Sequence, residues 1–300
     1  MNINEVIQVF VENHKEELYT KDFESKVVSW LENATNVDTK EILIHLLSEF
    51  TFYTKIEIKN VLKRKLDEVF NSYPLEDICI IPMVTKNGRL NSSYDLTMLL
   101  KEIVKENDIA LYKDTFKMGL YKLDADIKTL VFFDDISGTG GTIVTFLKEN
   151  KNYLLGRKID IQLIVITEIA NKTIEDYLDS EHELNVKVTA EYKYDKIFIE
   201  HDILKDSHKI IIKEFEETIW GKGNQNVMGF KDSQLLIGFS HNIPNNTISS
   251  FWYHTDFSGQ RKEWNCLFKR YTQLNRNSKK TRSNQNLSIK NQGGGGYNGL

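Results

Sequence analysis

The chain has 300 residues, of which 40% are hydrophobic and 27% charged, as is typical of a globular protein with a substantial core in one large domain or two small ones. Its formal net charge of −4 excludes a strong global basic field of the kind that favours nucleic-acid binding, while local basic patches stay open. The only cysteines are Cys79 and Cys266, which excludes a disulfide framework and a multi-cysteine zinc site.

The beginning of the chain lacks the pattern of a targeting segment. Residues 1–14 carry acids and amides in place of a continuous apolar core, so no signal peptide is predicted. No apolar run approaches the ~20 residues needed to cross a bilayer. We therefore expect a cytoplasmic protein that keeps its cysteines reduced and does not bind a membrane.

Residues 1–72 are predicted to form a helical N-terminal extension packed on the core. Apolar residues recur there at three- and four-residue spacing, which indicates amphipathic helices. The predicted helices cover residues 5–16, 23–31, 39–50 and 56–70. The last helix carries a basic cluster, which we interpret as its solvated face, with a nucleic-acid patch as the less favoured alternative. This cluster consists of Lys59, Lys63, Arg64 and Lys65.

Residues 73–271 change to an alternation of strands and helices. Strands are predicted at residues 78–84, 129–133, 159–166, 186–191 and 196–200 and after residue 235, and helices at residues 95–104, 143–150 and 172–178. Continuous apolar strands separated by helices imply a mainly parallel sheet with helices on both faces, an α/β fold. In such sheets, ligands bind beyond the carboxyl ends of the strands.

The strand at residues 129–133 leads directly into polar residues at that edge. Asp134 and Asp135 follow the strand, and residues 139–142 then read Thr-Gly-Gly-Thr before a helix begins. Glycines let backbone N–H groups close around an anion, and a helix N-terminus adds its positive dipole end. Paired carboxylates can hold sugar hydroxyls or Mg²⁺. The pattern therefore predicts a site for a ribose 5-phosphate unit.

Other phosphate-binding motifs fail on residue type. A P-loop needs Lys and then Ser or Thr after its last glycine, whereas Gly141 is followed by Thr142 and Ile143. A dinucleotide fingerprint needs a third glycine further into the helix, and residues 142–146 supply none.

Two further segments offer polar groups suited to a phosphorylated ligand. The first follows the strand at residues 78–84 and has diphosphate donors in Lys86, Gly88, Arg89, Ser92 and Ser93, or else forms a polar surface turn. The second, residues 241–252, has amides able to read a base edge in Asn242, Asn245 and Asn246, and a stacking face in Trp252. An Asn-Pro-Asn turn capped by a buried Trp252 would use the same residues structurally, and both interpretations stay open.

The end of the chain has a different composition. Residues 272–300 are rich in Asn, Ser, Lys and Gln, contain no acid, and include a glycine run at 293–296, so we expect a disordered tail. Its basic charge leaves contact with nucleic acid open, but a solubilising or vestigial tail is favoured. The histidine spacing supports no zinc site, and a surface or turn role is expected for His201 and His208.

The acid pair and the glycines resemble the phosphoribosyl pyrophosphate-binding motif of type I phosphoribosyltransferases, without gap or insertion. The resemblance implies that Asp134 and Asp135 hold the ribose hydroxyls and act in catalysis, with Mg²⁺ shared indirectly through the pyrophosphate substrate. It assigns the 5-phosphate to Ser137, Gly138, Thr139, Gly140, Gly141 and Thr142.

Residues 20–270 as a whole resemble the phosphoribosyltransferase-like effector family of bacterial conflict and antiphage systems, including retrons. The resemblance rests on the helical beginning, Ser92, the acid–glycine motif and residues 241–252. It implies a type I phosphoribosyltransferase-like fold, phosphoribosyl pyrophosphate or a nucleotide as ligand, and a partner protein of the defence system. A non-catalytic sensor and, less favoured, a base-salvage transferase are the alternatives to an effector enzyme, and homo-oligomerisation is left open.

Overall fold

The computed structural model describes residues 2–15, 17, 20–84, 92–111, 115–121, 123–199, 202–253 and 264–270. Its centre is a parallel sheet of four strands in the order β2-β3-β4-β5. These strands are β2 (Ile78–Ile80), β3 (Thr129–Ser137), β4 (Lys158–Thr167) and β5 (Asn185–Tyr194). A second, two-stranded parallel sheet joins β1 (Thr51–Tyr53) to β6 (Ile237–Phe239).

Helices cover both faces of the central sheet. One face packs against α4 (Lys55–Ser72) and α5 (Ser92–Glu106), and the other against α6 (Gly141–Leu154) and α7 (Glu168–Ser180). Alternate residues of β3 face opposite layers: Val131 and Phe133 contact the first, and Leu130 and Phe132 the second. A strand buried on both faces reads as a continuous apolar run. The predicted α/β class with a parallel sheet flanked by helices is confirmed.

The N-terminal helices form a second core together with the C-terminal part of the chain. This core contains α1 (Ile3–His14), α2 (Phe23–Leu31), α3 (Val37–Ser48), α8 (Asp206–Trp220) and residues 264–268. The Trp30 indole N–H donates to the carbonyl of Ser250 at 2.9 Å, and the ring of Phe268 lies 6.2 Å from that of Phe23. The N-terminal extension is therefore packed against residues more than 200 positions away.

Several element predictions were wrong in detail. Residues 51–53 form β1 inside the region predicted to be helical, because they pair with β6 and precede the Thr54–Glu57 capping box that starts α4. Residues 197–199 form a turn where a strand was predicted, and α8 was not predicted at all. The tail at residues 272–300 lies outside the described residues.

The basic cluster of α4 is only partly a solvated face. Lys65 is 2% exposed, and its ammonium donates to Gln162 Oε1 at 3.3 Å beneath the helix, so the surface interpretation was wrong for this residue. Burial lowers the pKa of Lys65 because it penalises the charged form. Lys59 pairs with Glu102 at 3.3 Å, and Arg64 with Glu191 at 2.5 Å. Of the helices in the described ranges, none is long and apolar enough to cross a membrane.

Candidate functional site

The carboxyl end of β3 brings the two adjacent acids into a buried position. Asp134 and Asp135 are 7% and 4% exposed. Asp134 Oδ1 accepts a hydrogen bond from the Ser92 hydroxyl at 2.7 Å and another from the Asp135 backbone N–H at 3.0 Å. Asp135 Oδ1 accepts from the Ile136 N–H at 2.8 Å, and its Oδ2 lies 2.9 Å from His241 Nε2. Each carboxyl group is therefore held in one orientation.

The surroundings separate the two acids electrostatically. Burial, together with the neighbouring charge of Asp135, raises the pKa of Asp134 well above its usual value. Burial alone would raise the pKa of Asp135 as well, but the hydrogen bond and charge of His241 outweigh it, so this pKa lies below its usual value. The site therefore favours a neutral Asp134 beside an ionised Asp135.

His241 contacts the acid pair, and this contact was not identified from the sequence. The spacing between the histidines was considered only as evidence for zinc. The contact itself is not visible in the sequence, because 106 positions separate His241 from Asp135. The one available signal was its place directly before Asn242. Folding makes the contact because Ser240, next to His241, donates its backbone N–H to Tyr53 of β1 at 2.9 Å.

The glycine loop, residues 137–142, connects β3 to α6. Gly140 has a φ of +74°, in the left-handed region that favours glycine, and it serves as the N-cap of α6 without a side-chain capping bond. The first N–H groups of α6 consequently have no side-chain cap and are suited to an anion. The Thr167 hydroxyl at the end of β4 donates to the Gly138 carbonyl at 2.8 Å and holds the loop against the neighbouring strand.

A cavity of about 240 Å³ opens above the acids and the glycine loop. It is smaller than the ~300–1,000 Å³ of pockets for drug-sized ligands, as expected for a small polar ligand. Its walls bring together the acid pair, the glycine loop and the closing segment, which we define as residues 241–252. The lining residues are Ser92, Asp134, Asp135, Ile136, Ser137, Gly138, Thr139, Gly140, Thr142, Ile143, Phe230, Asn242, Pro244, Asn245, Asn246 and Arg270.

Most predicted site residues in the described ranges meet in this cavity, but three do not line it. Gly141 is the first residue of α6. Ser93 is fully buried, donates to the Phe133 carbonyl at 2.6 Å and accepts from the Met83 N–H at 2.7 Å, which links α5 to the sheet. Trp252 is also fully buried. Lys86, Gly88 and Arg89 lie outside the described residues.

Trp252 has the surroundings of a structural residue. Its indole N–H donates to the Thr247 carbonyl at 2.7 Å, and its ring centroid lies 5.8 Å from that of Trp220. The guanidinium carbon of Arg270 lies 4.7 Å from the Trp252 ring centroid, and Arg270 also lines the cavity. Of the two roles that the sequence left open for Trp252, this packing supports the cap of the Asn-Pro-Asn turn.

Glu216 joins the closing segment to the loop around residue 228. This fully buried carboxylate of α8 accepts from the Met228 N–H and the Ser250 N–H, each at 2.5 Å. Burial raises the pKa of Glu216 to about 7. This role of Glu216 has no signal in the sequence, because its partners are backbone groups.

Of the described residues, no group of three or more His, Cys, Asp or Glu side chains could hold a metal ion. Mg²⁺ is commonly held by one or two carboxylates together with substrate phosphates and water. The acid pair fits that kind of shared coordination only, since several of its oxygens already accept hydrogen bonds.

A second cavity, of about 540 Å³, is lined by His241. Its other walls come from the first turn of α4, from residues 95–102 of α5, and from Glu17 and Ser240. They combine apolar side chains such as Met98 and Leu99 with acids such as Asp95. His241 therefore lines the larger, more apolar cavity and contacts Asp135, which lines the polar one.

The parallel sheet and the acid–glycine motif at its edge define a phosphoribosyltransferase-like protein. A model of the PRTase-CE family matches residues 27–270, more than half of the chain, and the chain therefore belongs to that family. This confirms the resemblance to the phosphoribosyltransferase-like effector family. No curated protein matches the chain.

Among solved structures, the chain is similar to the Helicobacter pylori xanthine-guanine-hypoxanthine phosphoribosyltransferase. The identity is 10%, the match covers 48% of this chain and 88% of that chain, and the TM-score is 0.30. A likeness at this level does not bear on the substrate.

Proposed function

We propose that this protein binds phosphoribosyl pyrophosphate, or a nucleotide with the same ribose 5-phosphate unit, and acts on it as an effector of a bacterial defence system. The observation that supports the proposal is one cavity that joins an acid pair to a glycine loop at a helix N-terminus. The family membership supports ribosyl-phosphate chemistry in general terms.

The two acids suit the two neighbouring ring hydroxyls of a ribose. An ionised Asp135 accepts hydrogen bonds from sugar hydroxyls, and a neutral Asp134 both donates and accepts. The 5-phosphate would then lie against the glycine loop, where backbone N–H groups and the dipole of α6 favour an anion.

If pyrophosphate leaves, the anomeric carbon acquires positive charge. The carboxylate of Asp135, kept ionised by His241, is the group that would stabilise this charge. Mg²⁺ would neutralise charge on the leaving group when it arrives with the substrate. Lys86, Gly88 and Arg89 are proposed to hold the pyrophosphate, and the position of Ser92 beside Asp134 puts the end of that segment at the acid pair.

We place the second reactant in the second cavity. Its size and its apolar walls suit a ring-shaped acceptor, and His241, which lines it, contacts Asp135 of the acid pair. A non-catalytic sensor would make the same contacts with its ligand in the first cavity, so binding and turnover need separate measurements.

Calorimetry with phosphoribosyl pyrophosphate and Mg²⁺ tests the binding part of the proposal. The wild type and a control variant at an exposed acid of α7, Asp176→Asn, are expected to bind equally. Asp135→Asn is expected to bind about 10–100-fold more weakly, the usual effect of losing a hydrogen bond to a charged group. Equal binding by wild type and Asp135→Asn would contradict the proposed site.

Turnover and biological role need two further readouts. Pyrophosphate release by the wild type, abolished in Asp135→Asn and reduced when Met98→Trp fills the second cavity, would support an enzyme; binding without release would support a sensor. For the defence role, cells that express the protein with its neighbouring genes should resist phage infection, and cells with Asp135→Asn should not. Equal plaque counts in both would argue against that role.

A further inference from the structure

A buried hydrogen-bond donor in the cavity has no partner in the part of the chain that the structure describes. Asn246 is 7% exposed, lines the cavity, and its Nδ2 is buried without a hydrogen-bond partner among the described residues. Leaving a buried donor unpaired costs free energy, so such a group calls for an explanation. An acceptor from a bound ligand would provide one.

The side chain of Asn246 is fixed directly on the glycine loop. A Cβ at Gly138 would lie 2.2–2.3 Å from the amide atoms of Asn246, so the two residues are in contact with no room for a larger side chain. The Asn246 carbonyl accepts from the Ser233 hydroxyl at 2.8 Å and the Leu235 N–H at 3.2 Å. The donor is therefore held beside the loop that the N-terminus of α6 makes suitable for an anion.

The same cavity receives a positive charge from the last described residue. Among the described residues that line it, Arg270 is the only Lys, Arg or His. Its guanidinium lies over Trp252, whose ring is fixed by the hydrogen bond to Thr247 and by Trp220. Arginine presents a planar fork of donors that matches a phosphate.

We propose that Asn246 and Arg270 form the second half of a phosphomonoester site, facing the glycine loop. This inference rests on the proposed function and names its polar partners for the 5-phosphate. It assigns Asn246 to the phosphate and not to a base edge, and it makes Trp252 the support for Arg270. Asn242 differs, because its buried unpaired atom is the acceptor Oδ1, which suits a sugar hydroxyl and not a phosphate.

Two isomeric ligands test this assignment. Ribose 5-phosphate and ribose 1-phosphate carry the same charge in different places, so calorimetry with both separates phosphate position from general attraction. The wild type is expected to prefer the 5-phosphate. Asn246→Asp, which replaces the donor by a negative oxygen, and Arg270→Gln should each weaken ribose 5-phosphate binding about 10–100-fold and reduce that preference.

Matched controls change the same charge elsewhere. Asn224→Asp keeps the Oδ1 that accepts from the Asn226 N–H, and Arg64→Gln removes an exposed arginine of α4. Both should bind ribose 5-phosphate like the wild type. If Asn246→Asp does not fold, two milder variants replace it. Asn246→Ser keeps a shorter donor and Arg270→Lys keeps the positive charge, so each should weaken ribose 5-phosphate binding less than Asn246→Asp or Arg270→Gln.

The outcomes distinguish this inference from the proposed function. Wild-type binding by Asn246→Asp and Arg270→Gln, together with weak binding by Asp135→Asn, would overturn the inference alone. No binding of ribose 5-phosphate or phosphoribosyl pyrophosphate by the wild type would overturn both.

Discussion

The two halves of the cavity are built in different ways. The lower half, from Asp134 to Thr142, is one continuous segment that leaves β3, forms the glycine loop and enters α6. The upper half combines Asn246 and Arg270 with His241, which does not line the cavity but contacts Asp135. These residues come from two segments and are held by residues of α8, β1 and the loop around residue 230. The binding groups of a contiguous segment can be recognised from the spacing of its residues. Groups from separate segments form a site only when tertiary packing brings them together.

Gly138→Ala should have the largest effect, because it breaks the contact between the two halves. The added methyl group occupies the position of the Asn246 amide, whose backbone is held by Ser233 and Leu235. We expect about 100-fold weaker ribose 5-phosphate binding and a loss of about 1–3 kcal/mol in the free energy of unfolding. Calorimetry and urea denaturation measure the two effects.

Gly141→Ala is the matched control for this change. Its Cβ would meet nothing closer than the Thr139 Oγ1 at 3.7 Å, and the residue lies at the start of α6. Binding should stay within about two-fold of the wild type, with stability unchanged or slightly higher. Equal damage from both substitutions would show that the loop, and not its contact with Asn246, is sensitive.

His241→Asn tests whether the upper half controls the charge of the lower half. His241 helps to hold the pKa of Asp135 below its usual value, so its loss should raise that pKa. Binding that needs an ionised Asp135 should then fail at a higher pH as the solution is acidified. It should weaken about two-fold at the pH where the acid is half protonated, and about ten-fold one pH unit lower. The measurement is ribose 5-phosphate affinity against pH.

The exposed His182→Asn is the control for that profile. Its acid limb should coincide with that of the wild type. If the His241→Asn profile also coincides with that of the wild type, His241 does not control the charge of Asp135, and this account is contradicted.

Asp134→Asn and Asp135→Asn should change stability in opposite directions, which is the smallest effect expected. The raised pKa of Asp134 means that its ionisation opposes folding: the cost is absent below the unfolded pKa and grows as pH rises towards the folded pKa. Asp134→Asn should therefore gain about 0.5–2 kcal/mol at neutral pH, and less at acidic pH.

The depressed pKa of Asp135 gives the opposite sign. Its contribution to stability is present above the unfolded pKa and is lost as pH falls through the folded pKa, so Asp135→Asn should be less stable than the wild type at neutral pH. Thermal unfolding at several pH values checks both. A loss of stability in Asp134→Asn at neutral pH would contradict the assigned protonation of the pair.

The sequence was sufficient for the lower half and for the central sheet. Strand, acids, glycines and helix start are contiguous there, and apolar strands buried on both faces are recognisable from composition alone. It was insufficient where tertiary contacts decide the outcome. Lys65 resembles its exposed neighbours but is buried against Gln162, and β1 is a strand only because β6 lies beside it.

The closing segment illustrates the same limit within the site. Its amides and Trp252 were recognised from the sequence as candidate binding groups. Whether each side chain faces a ligand or the core could not be predicted, because a turn can present the same residues to either. The sequence did not identify Arg270 as a site residue, because it is one of several basic residues next to a basic tail. Its place at the cavity depends on a tertiary contact, the stacking on Trp252.

A crystal structure of the protein with ribose 5-phosphate tests the central claim most directly. The account predicts the ribose hydroxyls at Asp134 and Asp135, and the phosphate between the glycine loop and the side chains of Asn246 and Arg270. A sugar phosphate bound elsewhere, or bound here in the reverse orientation with its hydroxyls at the glycine loop, would contradict it.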